Sequence, residues 1–459
     1  MDRLTVEQIA KAVSGKIVSG DGRYEVNAVC TDSREAGADD IFFPLIGENF
    51  DAHKFIPQVV ERGCKVIVMS DEKLAEDYTD KDVILVEDTL LALQELAKWY
   101  IEKLNIKKIA VTGSVGKTST RDLVCAGMRK KYVTGTNRKN FNNQIGLPLT
   151  IMELTSDNEA VVLEMGMDRK GEIHRLVDIA RPDVAVITNI GISHIEHLGS
   201  REGIRDAKLE VTDFFGSENT LIVNGKDDML KEYDFPDRYN VIKVGGEGDS
   251  QYVENIQDLG ADGIAFDLFD GEKLHKVSLA QPGAHNAINV MLAVSACAQF
   301  GVSTEDVIDA AKNVAVTGNR LRVKEAGSVR IIDDSYNAAP SSMKSAIETL
   351  RNTKGGRKIA ILGDMFELGS EEKRLHREVG QFAAERGIDL LITVGELGKE
   401  ISEGAKEGMP DEAVMHFDSR DKLTAAIGEI IRSEDVVLLK ASRGMELEHV
   451  TEKIMEKEY

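Results

Sequence analysis

The residues of this chain best suited to chemistry form a short glycine-containing loop that ends in a lysine, a threonine and a serine. It reads Gly113, Ser114, Val115, Gly116, Lys117, Thr118, Ser119, with an apolar run before it and a helical pattern after it. Inward-turned amides at a helix N-terminus bind anions. The lysine would reach the β- and γ-phosphates of a nucleotide, and the Thr118 hydroxyl would ligate Mg²⁺. We therefore expect ATP to bind at this loop.

The loop departs from the general phosphate-loop pattern GxxxxGK[ST] at the first position. That pattern asks for glycine at 111, where this chain has Val111. The alternative interpretation is a glycine turn followed by lysine and threonine by chance. The predicted strand before the loop and the predicted helix after it favour phosphate binding.

Further candidate side chains stand where strands are predicted to end. Glu164 closes the apolar run AVVLE, and a carboxylate at a strand's C-terminal end is well placed for Mg²⁺, although it could be a solvated acid. Asp334 closes a later strand, the usual place for an acid that binds a ribose hydroxyl. His194 follows the strand VAVITNI in a polar loop, where a lone histidine is more often structural.

Strands and helices alternate along the chain in three units. Thr5 and Gln8 predict a capping box that opens a first helix. A small α/β unit then runs to about residue 105. From 107, continuous apolar strands alternate with helices, which indicates a parallel sheet covered on both faces, and the alternation resumes near 320. We predict an α/β fold with domains at 1–105, 106–318 and 319–459.

Length and composition agree with this organisation. The 459 residues suffice for about three domains, at roughly 100–200 residues each. A net charge of −22 argues against nucleic acid or an anionic membrane surface as a partner. The four cysteines show no CxxC spacing, the N-terminus is not a signal peptide, and no apolar run is long enough to span a membrane. We expect a cytoplasmic, soluble enzyme.

Several segments, taken together and in order, resemble the Mur ligase family, which includes folylpolyglutamate synthases. They are GSVGKTS, NFNNQIGLPLT, TNIGISHIEHLGS, DAKLE, GAHNAINV, DDSYNAAPSSM, LGDMFELG and KASRGMELE. Near the N-terminus, TDSREAGADDIFFPLIGENFDAHKF resembles the family's uridine-nucleotide-binding motif. The resemblance implies a small N-terminal α/β substrate domain, a central phosphate-loop ATPase domain and a C-terminal Rossmann-like domain.

The resemblance also implies a reaction. LGDMFELG, YNAAP and the absence of DNPR are most similar to the branch that adds D-alanyl-D-alanine to UDP-N-acetylmuramoyl-tripeptide in peptidoglycan synthesis. ATP would first convert the tripeptide carboxylate to an acyl phosphate. One alternative is a family member that adds a single amino acid or a folate glutamate, but the uridine motif disfavours folate. The other, a non-catalytic nucleotide-binding protein, is disfavoured because Lys117, Thr118, Glu164, His194 and Lys208 occur together. We expect a monomer.

Residue roles carried over from the family fall into four groups. The expected catalytic residues are Lys117, Asn142, Asn143 and Lys208. The expected ligands of two Mg²⁺ ions are Thr118, Glu164, His194 rather than His197, and Lys208 as its carbamate. The expected nucleotide-binding residues are the loop Gly113, Ser114, Val115, Gly116, Lys117, Thr118, Ser119, with His285, Asn286, Asn289, Arg320 and Asp334. The expected substrate residues are Thr31, Asp32, Ser33, Arg34 and Gly47 for the uridine diphosphate, and Tyr336 and Asn337, with Pro340, for the dipeptide.

Most of these residues have an ordinary alternative explanation. Without the resemblance, Lys208 is one more solvated lysine, the Asn142 segment is a turn, the residues from His285 are helix caps, and the run from Thr31 is a loop. The chain also departs from the family. Asp39, Ala52 and Ala441 replace glycines, and Ala339 replaces an asparagine, which bears on contacts to the amine substrate.

Overall fold

A mixed sheet, a parallel sheet and a second mixed sheet follow one another along the chain, each packed against helices. The structure is a computed structural model that describes residues 1–47, 49–138, 140–246, 248–314, 317–457 and 459. Among these residues no helix combines the length and the apolar character needed to cross a membrane.

The first unit is built on a mixed sheet with strand order β2-β9-β8-β5-β4, in which only β2 runs antiparallel to its neighbour. Its strands are β1 (Leu4–Thr5), β2 (Lys16–Ser19), β3 (Glu25–Val26), β4 (Ala28–Cys30), β5 (Asp40–Phe42), β6 (Ile46–Gly47), β7 (Phe50–Asp51), β8 (Val66–Met69) and β9 (Asp82–Leu85). Its helices are α1 (Val6–Ala12), α2 (Ile56–Glu61), α3 (Glu72–Ala75) and α4 (Thr89–Leu104), with a 3-10 turn at Ala52–Phe55. The predicted capping box of Thr5 and Gln8 at α1 is confirmed.

The second unit carries a parallel sheet of order β11-β12-β10-β13-β14-β15, followed by an antiparallel sheet β16-β17-β18. The strands are β10 (Lys107–Thr112), β11 (Thr134–Thr136), β12 (Ala160–Glu164), β13 (Val184–Ile187), β14 (Thr220–Asn224), β15 (Asn240–Val244), β16 (Tyr252–Asp258), β17 (Ile264–Phe269) and β18 (Leu274–Leu279). The helices are α5 (Lys117–Met128), α6 (Gly146–Ile151), α7 (Glu172–Ala180), α8 (Ile195–Leu198), α9 (Arg201–Leu209), α10 (Asp228–Lys231), α11 (Asn286–Ala298) and α12 (Thr304–Ala311), with 3-10 turns at Glu210–Thr212 and Gly260–Asp262. The expected parallel sheet is confirmed, whereas the antiparallel one was not predicted.

The third unit has a sheet of order β19-β20-β24-β21-β22-β23, parallel except for the β19–β20 pair. Its strands are β19 (Arg322–Ala326), β20 (Val329–Asp334), β21 (Lys358–Gly363), β22 (Leu390–Val394), β23 (Val414–Phe417) and β24 (Val436–Lys440). Its helices are α13 (Pro340–Asn352), α14 (Glu372–Glu385), α15 (Gly398–Lys406), α16 (Arg420–Ile430) and α17 (Glu448–Met455), with 3-10 turns at Gly369–Glu371, Asp411–Ala413 and Arg443–Met445.

The apolar strands of the parallel sheet are buried on both faces. In β10, Ile109 and Val111 pack with α5 and α11, whereas Ala110 faces the opposite core. That opposite core is shared, because side chains of the first unit such as Leu93 and Leu96 pack with Leu176 of α7. Helix α4 therefore joins the first unit to the second through one continuous apolar core.

The register of β10 explains the missing glycine of the phosphate loop. Val111 is fully buried and is paired on one side with Glu164 of β12 and on the other with Val186 of β13. Position 111 is thus still within the central strand, where an apolar β-branched side chain is favoured and glycine would weaken the strand. The turn that needs glycine begins only at Gly113, with φ of +147°.

A buried tyrosine hydroxyl ties the N-terminus to this shared core. Tyr100 of α4 is inaccessible to solvent, and its hydroxyl accepts from the amide of Asp2 at 2.8 Å and donates to the carbonyl of Leu154 at 2.9 Å. We predict that Tyr100→Phe lowers the free energy of unfolding by roughly 1–3 kcal/mol, because two polar groups lose their partner. Urea unfolding followed by circular dichroism measures this. Tyr78→Phe is the control, since the Tyr78 hydroxyl bonds to no described residue; equal effects would contradict the prediction.

Candidate active site

A cavity of about 730 Å³ lies between the second and third units. Most of the candidate residues line it, including Ser114 to Ser119, Asn142, Asn143, Glu164, His194, His285, Asn286, Asn289, Arg320, Asp334, Tyr336 and Asn337. Gly113 and Lys208 are not on its surface, and neither are Thr31, Asp32, Ser33, Arg34 and Gly47 of the first unit. The candidate site is thus assembled by the ends of parallel strands in one unit and by helix α13 in the next.

Two glycines give the phosphate loop its shape. Gly113 has φ of +147°, and a Cβ there would lie 1.9 Å from the Thr188 hydroxyl. Gly116 has φ of +85°, a left-handed conformation, immediately before α5 begins. The carbonyl of Val115 is held by Thr188 Oγ1 at 2.6 Å and by Asn189 Nδ2 at 2.9 Å. Side chains after β13 therefore fix the loop with the N-terminus of α5 open to the cavity.

Lys117 lies folded over its own loop. Its Nζ donates to the carbonyl of Gly113 at 2.8 Å and to that of Ser114 at 3.3 Å. Burial lowers the pKa of Lys117, and the carboxylate of Glu164 opposes that shift. The ammonium group would bind a phosphate more strongly than these carbonyls, because neutral acceptors compensate its charge less well than an anion does.

Glu164 is buried at the end of β12, with 3% of its surface exposed, so it is not a solvated acid. Its Oε1 accepts from Asn142 Nδ2 at 2.8 Å. Its Oε2 lies 3.5 Å from Arg121 Nη1 and accepts no hydrogen bond from any described residue. A buried carboxylate oxygen without a hydrogen-bond donor, on a cavity wall, fits a Mg²⁺ ligand.

His194 stands beside two carboxylates that the sequence did not single out. Its Nδ1 is 2.6 Å from Glu367 Oε2 and 3.2 Å from Asp168 Oδ1, although neither contact is aligned as a hydrogen bond. The three residues form a group able to hold a cation. Burial lowers the pKa of His194. His197 is exposed and does not line the cavity, which agrees with the preference for His194.

Asp168 and Glu367 were missed for different reasons. Asp168 follows Glu164 by four residues at the same sheet edge, and that spacing could have identified it. Glu367 lies in the LGDMFELG segment, but nothing in the sequence pairs it with a histidine 173 positions earlier, in another unit.

Lys208 is almost completely buried in α9, with 2% of its surface exposed. Its amine has no hydrogen-bond or ion-pair partner among the described residues. Burial, and secondarily the positive charge of Lys117, lower its pKa far below the usual lysine value. The interpretation of Lys208 as a solvated surface lysine is therefore wrong, and a neutral amine is the form that reacts with CO₂.

The start of α11 forms another wall of the cavity. Asn286 Nδ2 donates to the Pro282 carbonyl at 2.7 Å, and Asn289 Nδ2 donates to Asn286 Oδ1 at 2.9 Å. His285 makes no capping hydrogen bond, and its Nδ1 lies 3.0 Å from Ser345 Oγ of α13 in the third unit. Surrounding protein, with Lys440 nearby, lowers the pKa of His285 to about 4, so it is neutral at physiological pH.

The third unit contributes a stacked arginine and a buried ion pair. The Arg320 guanidinium lies 3.9 Å from the centroid of the Tyr336 ring. Asp334, at the end of β20, pairs with Lys440 Nζ at 2.7 Å, and that amine also donates to the Asn337 carbonyl at 2.8 Å. Burial raises the pKa of Asp334, and Lys440 opposes the shift. The pair shapes the loop that leads into α13, and the sequence did not identify Lys440.

The uridine candidates of the first unit lie apart from the cavity. Arg34 Nε lies 2.8 Å from Asp32 Oδ1, and this exposed arginine holds the pKa of Asp32 at about 2. Gly47, at the end of the exposed strand β6, lies on the same unit.

Ala339 is the N-cap residue of α13 and has no polar side chain that could cap the helix. Its amide instead donates to Ser342 Oγ at 3.0 Å.

A phosphate loop and a buried carboxylate at a cavity between two α/β units form a site suited to ATP. Comparison with known proteins shows that the chain is an ATP-dependent ligase and belongs to the Mur ligase family. Models of the Mur ligase middle domain and of the Mur ligase glutamate ligase domain match residues 111–297 and 319–443. The chain is 39% identical, over 99% of both sequences, to the UDP-N-acetylmuramoyl-tripeptide–D-alanyl-D-alanine ligase of Bacillus subtilis strain 168.

Solved structures show the same similarity. The chain superposes on MurF from Acinetobacter baumannii with a TM-score of 0.90 and 30% identity, each chain covered completely. It superposes on MurF ligase from Thermotoga maritima, crystallised in complex with ADP, with a TM-score of 0.84 and 26% identity over 94% of this chain and 97% of that one. The α/β fold expected from the sequence is confirmed.

Burial of the Lys208 amine affects how the stability of the protein depends on pH. The pKa of Lys208 in the folded chain lies well below the ordinary 10.5, so between those two pKa values the unfolded chain binds more protons than the folded one, and stability rises with pH up to about 10.5. We predict that Lys208→Met raises the thermal unfolding midpoint at pH 7 in CO₂-free buffer, and that the gain shrinks toward pH 10. Differential scanning calorimetry measures both. A gain independent of pH would contradict the assignment of the cost to burial of a titratable amine.

Proposed function

We propose that this chain joins D-alanyl-D-alanine to UDP-N-acetylmuramoyl-tripeptide with conversion of ATP to ADP and phosphate, which gives the pentapeptide precursor of peptidoglycan. The observation that carries the proposal is the cavity in which the phosphate loop and Glu164 face the start of α13. The full-length similarity to ligases of this name supports it. The uridine-motif segment in the first unit supports a nucleotide-linked substrate over a folate.

The proposed roles follow from where each side chain lies. The amides of the phosphate loop, with Lys117, bind the ATP phosphates. Asn142 and Asn143 orient the γ-phosphate and the tripeptide carboxylate, His285, Asn286 and Asn289 contact the adenine, and Arg320 and Asp334 bind the ribose and phosphate side. Tyr336 and Asn337 lie at the start of α13, where the dipeptide would be held, and Thr31 to Arg34 with Gly47 bind the uridine diphosphate.

Two Mg²⁺ ions are part of the proposal. Thr118, Glu164, His194 and the carbamate of Lys208 would hold them. Glu164 Oε2 accepts no hydrogen bond from a described residue, although Arg121 Nη1 lies 3.5 Å away, and the amine of the buried Lys208 has no hydrogen-bond or ion-pair partner among those residues. Both observations support this choice, because buried polar groups are normally hydrogen-bonded. Mg²⁺, when bound, neutralises charge on the phosphates and on the developing acyl phosphate.

The chemistry is an activation followed by an amide-forming step. The tripeptide carboxylate attacks the γ-phosphorus, the bond to the bridging oxygen breaks, and ADP leaves as an acyl phosphate forms. Lys117 Nζ leaves the carbonyls of its loop and donates to the transferred phosphate, where it stabilises the developing charge. The neutral amine of D-alanyl-D-alanine then attacks the acyl carbon, inorganic phosphate leaves, and the amine releases one proton to solvent.

Positioning and exclusion of water complete the mechanism. Holding the carboxylate, the phosphate and the amine together can lower the activation free energy by roughly 7–11 kcal/mol. The acyl phosphate must be shielded from water, so the third unit has to stay closed over the cavity during both steps. The contact of His285 with Ser345 joins the two cavity walls and supports this closure.

The remaining parts of the proposal concern organisation. We propose that the three units are domains with bounds at 1–105, 106–318 and 319–459. All strands of any one sheet lie within one of these ranges, which supports the bounds. We also propose that the enzyme works as a monomer in the cytoplasm. The four cysteines are free in the structure, which supports a reducing compartment.

Substitution of the phosphate-loop lysine tests whether ATP chemistry and UDP-substrate binding reside in different units. We predict that Lys117→Ala abolishes ADP release, because the transferred phosphate loses its cation, while the UDP-substrate still binds the first unit. Turnover is followed by a coupled ADP assay, and binding by calorimetry. Lys130→Ala, at a surface ion pair with Asp309 beyond the end of the same helix, is the control. Equal loss of turnover and of UDP-substrate binding would contradict the domain assignment.

The choice of amine tests the function itself. With UDP-N-acetylmuramoyl-tripeptide and ATP, we predict that ADP release requires D-alanyl-D-alanine and is not supported by D-alanine, lysine or meso-diaminopimelate. Release with a single amino acid would instead indicate another ligase of the family. No release with any amine would indicate a non-catalytic nucleotide-binding role. Supplying tripeptides with lysine or diaminopimelate in parallel identifies the third residue.

A further inference from the structure

A carboxylate of the third unit contacts a side chain of the second. Glu367 lies in the segment between β21 and α14, and its Oε2 is 2.6 Å from Nδ1 of His194. Both residues have left-handed backbones, with φ of +62° and +63°. A conformation that costs energy in a non-glycine residue persists only where the surroundings hold it. Both segments are therefore held in the conformation that brings these two side chains together.

The segment that carries Glu367 is anchored in the core of its own unit. The amide of Met365 donates to His376 Nε2 at 2.8 Å, and His376 is fully buried in α14. The next amide, of Phe366, donates to Ser442 Oγ at 2.9 Å. Since two successive amides are held by side chains from different elements, the residue that follows them has a fixed position relative to the third sheet.

Beside carboxylates, a neutral imidazole carries its proton on the nitrogen that faces them. In His194 that nitrogen is Nδ1, which leaves the lone pair on Nε2 free to bind a cation. Histidines that ligate metals ordinarily donate their other ring N–H to a carboxylate, which fixes the tautomer and the ring orientation. Asp168 is a second acceptor near Nδ1 but lies farther away, at 3.2 Å, and is more exposed.

We propose that Glu367 is a positioning residue that, when the third unit is docked, favours the tautomer of His194 with its proton on Nδ1 and so makes the histidine a better Mg²⁺ ligand. Asp168 belongs to the same unit as His194, so only Glu367 can link docking to the ligand. The contact is short but not aligned in the structure, and the half-exposed Glu367 side chain can rotate to align it. This inference rests on the proposed role of His194 as a metal ligand.

The first test reads the histidine ring in the metal-free, full-length chain. Nitrogen-15 chemical shifts of labelled histidine report the tautomer, and His194→Gln assigns the signal among the nine histidines. We expect the Nδ1–H form in the wild type and a shift toward the other tautomer in Glu367→Gln, with a smaller shift in Asp168→Asn. The control is Glu371→Gln, an equally exposed carboxylate of the adjoining turn that pairs with Arg374 instead.

The second test measures the Mg²⁺ concentration that gives half-maximal ligation. We expect Glu367→Gln to raise it about 10- to 100-fold, with KM for the UDP-substrate unchanged, and Glu371→Gln to leave it at the wild-type value. An unchanged tautomer, an unchanged Mg²⁺ requirement, equal effects in the control, or a larger tautomer shift in Asp168→Asn would each overturn the proposal. The ring measurement needs no turnover, so it remains informative even if the chain ligates a different amine.

Discussion

The parallel register of β10 with β12 and β13 is the constraint on which the rest of the site depends. It sets Val111 beside Glu164 and Val186, so the carboxyl ends of the three strands stop at one sheet edge. The phosphate loop, the buried carboxylate and the segment with Thr188 and His194 all leave from that edge. A slip of one residue would turn Glu164 to the opposite face, because side chains alternate along a strand.

Around this edge lie buried polar groups for which the protein supplies few hydrogen bonds or ion pairs. Lys117 donates to carbonyls of its own loop. Among the described residues, Lys208 has no hydrogen-bond or ion-pair partner, and one oxygen of Glu164 accepts no hydrogen bond. Each arrangement costs folding free energy, because buried polar groups are normally paired. That cost is the expected signature of a site prepared for anions and cations that arrive with the substrates.

The sequence predicted what local patterns determine and missed what depends on distant partners. The strand-end position of Glu164 follows from the apolar run that precedes it, and the structure places it there. Burial of Lys208 does not follow from a charged helix, so only the family resemblance singled it out. Glu367 and Lys440 act through residues in other elements, and no spacing reveals such pairs. The antiparallel sheet was overlooked although β17 and β18 alternate buried and exposed residues, which is a local signal.

The apolar core that α4 shares between the first and second units has a further consequence. Moving the first unit relative to the second would expose apolar side chains of that core to water, so the packing opposes a change in the distance from the uridine-motif segment to the phosphate loop. On the proposed function, the substrate binds by its nucleotide at the first place and is phosphorylated at the second, so this packing sets the length that the substrate must span. Precursors one residue too short would leave their carboxylate away from the γ-phosphate, and the order of peptide assembly would be enforced by length.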